Sequence, residues 1–187
     1  MTRRVVTGIG PTSLQSAAVH LGISAESYGK QIRSVARTLA RWRVTLAVSG
    51  DSESTCVLAR AFLEEGENPV CWYIVEEAPD CAASARSTTM ALQPKDIPAS
   101  LLRAADVVLC IGMGTGTALE ICLAKFESTA QVLVLKELIS SRLPNECTFD
   151  RLSYVSINGL GAALSSVLGP AREKQTPAVV GRPTDDR

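Results

Sequence analysis

Short apolar runs alternate with amphipathic stretches along most of the chain. Arg4 to Gly8 predicts a first strand, and Ala25 to Arg43 a long helix. In that helix Ile32, Val35, Ala36, Leu39, Ala40 and Trp42 recur at three- and four-residue spacings. "VTLAVSG" predicts a second buried strand, and Ser54 to Glu65 a helix that stops at Gly66. "PVCWYIVEE" predicts a third strand. Ala78 to Ser100 has the Pro, Ser and Thr content of a loop, and Ala99 to Ala105 suggests a short helix. "DVVLCIG" is a fourth strand, Thr117 to Phe126 a helix, "QVLVLKEL" a fifth strand and "LSYVSIN" a sixth, with a closing helix over Gly161 to Leu168. The strands are short, continuous and rich in Val, Ile and Leu. That is the mark of a parallel sheet buried on both faces with right-handed crossovers. The expected fold class is α/β: a three-layer, doubly wound, mostly parallel sheet, Rossmann-like, over residues 1–168. Residues 169–187, rich in proline and charge, are expected to form a disordered tail.

Composition narrows the function classes. The 187 residues are 46% hydrophobic, with 19 basic and 19 acidic side chains, so no net field favours nucleic acid or an anionic membrane. A basic helix face, Lys30 to Arg43, reads as solvated rather than as a nucleic-acid contact. No apolar run approaches the ~20 residues needed to span a bilayer, and "MTRRVVTGIG" lacks a secretory core, so a cytoplasmic location is expected. The six cysteines form no CxxC pair, and His20 is alone, so no metal site is expected.

In doubly wound sheets, ligands bind beyond the carboxyl ends of the strands. Three such loops stand out: "TGIGPTS", with Gly8 and Gly10; "SGDSEST", with Gly50; and "GMGTGTALE", with Gly112, Gly114, Thr115, Gly116, Thr117 and Glu120. Glycines let a backbone come close to a ligand. A helix that starts directly after them aims unpaired N–H groups and partial positive charge outward, and the threonines add hydroxyls. This set suits a phosphate. The plainer reading is a tight strand–helix connection. Glu120 has two roles open to it: stabilisation by the helix dipole, worth ~0.3–1 kcal/mol, or contact with a ribose or a reacting group.

"IGMGTGTALE", preceded by "LLRAADVVL", resembles the PGGxGTxxE motif of the SLOG superfamily. That superfamily includes the LOG phosphoribohydrolases, often labelled lysine decarboxylases, and the molybdenum-cofactor carrier proteins. The resemblance covers most of the chain, including the strand order, the long first helix and the terminal "YVSINGLGAAL". It implies a Rossmann-like homodimer or higher homo-oligomer that binds a nucleotide or nucleotide-derived ligand, such as an AMP-like molecule. In the family's enzymes the glutamate matching Glu120 is catalytic. It works with an arginine to cleave the N-glycosidic bond of a nucleoside 5′-monophosphate.

This chain departs from the family pattern in three places, one of them "GMG" where the motif has PGG, with Met113 expected as wall or lid. The enzymes' second glycine-rich turn is here "SGDSEST", where Asp51 and Glu53 would repel a bare phosphate and where a capped structural helix is the favoured reading. Their arginine has no counterpart, because Pro94 and Pro98 interrupt the corresponding helix; Arg86 and Lys95 are the nearest substitutes. The expectation is therefore a binding or carrier protein, with a LOG-type phosphoribohydrolase as the alternative.

Overall fold

The computed structural model describes residues 3–75 and 80–171. Seven strands form one sheet: β1 (Arg4–Ile9), β2 (Val44–Ser49), β3 (Val70–Ile74), β4 (Ser87–Ala91), β5 (Val107–Cys110), β6 (Gln131–Leu135) and β7 (Leu152–Val155). The helices are α1 (Leu14–Leu21), α2 (Ala25–Leu39), α3 (Glu53–Glu65), α4 (Ile97–Ala104), α5 (Thr115–Glu127) and α6 (Leu160–Leu168). The strand order is β4-β3-β2-β1-β5-β6-β7, and every pairing is parallel. The chain winds outward from β1 to β4, then returns to β5 and winds the other way. Its switch point is the gap between β1 and β5.

Side chains alternate across the sheet as strand pleating requires. Leu46, Val48, Trp72, Val107 and Leu109 point into a core formed with Tyr28, Ile32, Leu39, Leu58, Phe62 and Leu160, from α2, α3 and α6. Val108, Cys110, Val132 and Val134 point the other way, against Leu102 of α4 and Ile121 and Ala124 of α5. Ala47 and Tyr73 meet Ile97 and Leu101 of α4 on that same side. The three expected layers are present, so the strands read as unbroken apolar runs because both of their faces are covered.

Several elements differ from the sequence expectation; α2 ends at Leu39 rather than Arg43, and α4 begins at Ile97 rather than Ala99. The turn after β1 leads into α1, a helix absent from the apolar pattern. It has its own N-cap, Ser13, whose side chain accepts from the Ser16 N–H. Part of the stretch expected to be loop forms β4, an edge strand paired with β3 whose residues are mostly exposed. Helix α5 begins at Thr115, two residues early, with Gly114 as its N-cap. Glu76 and Glu77 of the third expected strand, and the tail from residue 172, lie outside the described residues. Among the described residues no helix is long and apolar enough to cross a membrane.

Candidate functional site

A cleft of about 640 Å³ opens at the carboxyl ends of β1, β2 and β5, at the switch point. Its volume falls within the ~300–1,000 Å³ range of small-molecule sites. One wall is the β1–α1 turn, with Gly8, Gly10, Thr12, Ser13, Ser16 and His20. The opposite wall is the start of α5, with Gly114, Thr115, Gly116, Thr117 and Glu120, edged by Leu119 and Leu123. Ser49, Asp51, Ser52 and Thr55 of the β2–α3 turn also contribute.

The wall at α5 has the open hydrogen-bonding groups. Gly114 takes extended dihedrals (φ −143°, ψ 175°) and caps the helix without a side chain. The Ala118 N–H is the first to bond back, to Gly114 O at 2.9 Å. The amides of Thr115, Gly116 and Thr117 precede it and have no partner inside the helix. Thr117 is 2% exposed, and its Oγ1 is buried without a hydrogen-bond partner. A buried hydroxyl left unpaired costs ~1–3 kcal/mol.

Gly112 shapes this wall from behind. Its φ is +155°, and a Cβ there would lie 1.9 Å from the Tyr28 hydroxyl and 2.8 Å from Pro11 Cδ. The close approach lets Tyr28, fully buried, donate to Ile111 O at 2.6 Å. Helix α2 thereby holds the end of β5 through a residue 83 positions away. Burial, with the Cys110 thiol nearby as a lesser cause, pushes the Tyr28 phenol well above its ordinary range, so it stays a donor.

Glu120 is half-buried on the α5 wall, beyond the first turn. At that depth the helix dipole does little. Burial dominates, with the charge of Asp51 adding to it, and the carboxyl rises from 4.5 to about 7. The group is therefore poised between acid and base near neutrality. Among the described residues the cleft lining holds no Lys or Arg, and its titratable groups are His20, Asp51 and Glu120.

The remaining expected residues fall elsewhere. Gly50 lines a smaller adjoining recess of about 270 Å³ with Ser49, Asp51, Tyr73 and Ile97, and its amide donates to Tyr73 O at 2.9 Å. Arg86 is not brought to the cleft. Its carbonyl accepts from Val70 N–H at the amino end of β3, and its guanidinium donates to Leu63 O at 2.6 Å. Lys95 is exposed in a 3₁₀ turn, Pro94–Asp96, and is not among the lining residues. His20 and Ser16 join the cleft only because α1 exists. The "PTS" capping signature before an eight-residue helix was the one local clue to them.

No protein-family model matches the sequence, and no curated protein matches it. Solved structures do match the fold. The molybdenum cofactor carrier protein of Chlamydomonas reinhardtii superposes with a TM-score of 0.67 at 17% identity, covering 89% of this chain and 99% of that one. A structural-genomics target, TM1055, gives 0.67 at 18% identity over 88% and 99%. The molybdenum cofactor binding protein of Rippkaea orientalis gives 0.63 at 14% identity over 90% and 99%. The chain thus shares the Rossmann-like, doubly wound α/β fold of these solved structures.

Proposed function

We propose that this chain is a SLOG-type binding or carrier protein for a nucleotide or nucleotide-derived ligand, whose phosphate sits on the first turn of α5. The observation that carries this reading is the Thr117 hydroxyl, buried and unpartnered beside the open amides of Thr115, Gly116 and Thr117. Three amides, a hydroxyl and a helix N-terminus suit three phosphate oxygens. Thr12, Ser13 and Ser16 on the facing wall offer hydroxyls to a sugar or heterocycle. With no Lys or Arg among the described lining residues, affinity rests on these neutral donors, which favours a held ligand over a strongly polarised one. The fold neighbours named for the molybdenum cofactor make that compound the first cargo to test beside AMP and GMP. Native mass spectrometry of the purified protein tests the reading. A co-purifying phosphate-bearing small molecule, displaced by excess AMP or molybdenum cofactor, supports it; no bound mass and no thermal shift with any of these ligands ends it.

A second reading is favoured by Glu120 alone. A carboxyl near 7 is suited to proton transfer during cleavage of an N-glycosidic bond. Free base released from AMP or isopentenyladenosine monophosphate, and lost in Glu120→Gln, would establish a phosphoribohydrolase. Binding without release leaves the carrier reading standing.

A further inference from the structure

At α5, outside the residues that line the cleft, two thiols meet. Cys122 Sγ donates to Cys147 Sγ at 2.9 Å. Cys122 lies in the middle of α5, and Cys147 ends the 3₁₀ turn Asn145–Cys147 between β6 and β7. Both are partly exposed, so a small reagent can reach them. No third Cys, His, Asp or Glu completes a metal-binding group around them among the described residues. The turn is also tied to the helix by Lys125 Nζ, which donates to Glu146 O at 3.5 Å. The two sulfurs need to close by only roughly 1 Å to reach the ~2.05 Å of a disulfide.

We propose that Cys122 and Cys147 are a site of reversible oxidation, closing an intramolecular disulfide that ties α5 to the β6–β7 connection. The oxidant is a low-molecular-weight disulfide such as oxidised glutathione. One protein thiolate attacks it, forms a mixed disulfide and expels one glutathione thiolate. The second protein thiol, deprotonated, attacks the mixed disulfide and expels the other. Two S–H bonds are lost and one S–S bond forms, and the oxidant takes up both electrons and both protons. The hydrogen bond with Cys147 is the main cause that raises the Cys122 thiol above its ordinary range. Burial and the charge of Cys147 add to this, and Lys125 opposes it. The reaction therefore runs faster at alkaline pH. Leu119, Glu120 and Leu123 of the same helix line the cleft, so the bond would fasten the element that forms one of its walls.

The test treats the reduced full chain with excess oxidised glutathione at pH 8. Expected are an intact mass lower by two hydrogens, a cross-linked peptide pair carrying Cys122 and Cys147, and reversal by dithiothreitol. A melting temperature higher by about 5 °C in the oxidised form is also expected, since the bond closes a loop of intermediate length. Cys122→Ser and Cys147→Ser each abolish the mass loss and the thermal shift. Peptide mapping of the unsubstituted protein decides the matter if either variant fails to fold. Cross-links to other cysteines, a persistent glutathione adduct on either sulfur, or an unchanged thiol count would each overturn the proposal.

Discussion

The turns after β2 and after β5 both run from a buried strand into a helix N-terminus beside the same cleft, yet they use their polar groups in opposite ways. In the β2–α3 turn the groups are spent within the protein. Gly50 N–H bonds to Tyr73 O, Glu53 N–H to Thr12 O, and Thr55 N–H to Ser52 Oγ. Ser52 and Ser54 hydroxyls donate to Pro11 O at 2.9 and 2.7 Å, and the Glu53 carboxylate accepts from Leu14 N–H at 2.8 Å. This turn is the seam that fastens α3 to the β1–α1 turn. In the β5–α5 turn the amides of Thr115 to Thr117 and the Thr117 hydroxyl have no partner among the described residues. The contrast teaches that an acidic, serine-rich turn closes on itself, whereas a glycine–threonine turn without a side-chain cap leaves its donors for something else.

The largest effect should come from Gly112→Ala behind the open turn. The new Cβ would collide with the Tyr28 hydroxyl and sit at an unfavourable positive φ. Denaturant unfolding should show a loss of about 3 kcal/mol or more, or no folded protein at all.

A paired exchange breaks the comparison most directly. Ser54→Ala should cost about 1 kcal/mol, because it removes one of the two hydroxyls that donate to Pro11 O, and phosphate-ligand affinity by calorimetry should not change. Thr117→Val should do the reverse: stability of the unliganded protein higher by about 1–3 kcal/mol, because a buried hydroxyl without a protein partner is removed, and affinity lower by about tenfold. If Ser54→Ala weakened the ligand and Thr117→Val did not, the two turns would have been assigned the wrong way round.

Glu120 sharpens the contrast through pH. Below 4.5 its carboxyl is protonated in both folded and unfolded chains. Between 4.5 and about 7 only the unfolded chain releases the proton, so stability falls as pH rises through that window and levels off above it. Glu120→Gln should remove this slope in urea melts. It should also relieve the loss of anion affinity, relative to the unsubstituted protein, as pH climbs past 7. The smallest effect is expected of Gly116→Ala. A Cβ there meets nothing within 4 Å, so the helix should gain up to about 1 kcal/mol, while the ligand contact weakens slightly because the methyl adds bulk to the open turn.

Much of the fold was legible because buried parallel strands leave unbroken apolar runs, as in Val107 to Cys110 and Gln131 to Leu135. What escaped had no such trace. Strand β4 is an exposed edge, so "STTMA" carries no core pattern. Helix α1 spans eight residues and buries only Ala17 and Ala18, too little for a periodic signal. His20 looked ordinary among apolar neighbours, and it reaches the cleft only because the turn after β1 continues into α1. Cys122 and Cys147 are 25 residues apart, a spacing with no motif, and packing alone brings them together.

From its order of residues the chain determined a two-sided parallel sheet and a glycine–threonine turn at the end of its central strands, since hydrophobic periodicity and glycine's backbone freedom act locally. Tertiary structure decided which turn keeps its donors. That depends on acceptors such as Pro11 O, Thr12 O and Tyr73 O, which come from distant parts of the chain and satisfy the β2–α3 turn, while among the described residues none reaches the first amides of α5. It also decided the state of Glu120, because a carboxyl is desolvated only by neighbours that folding brings around it.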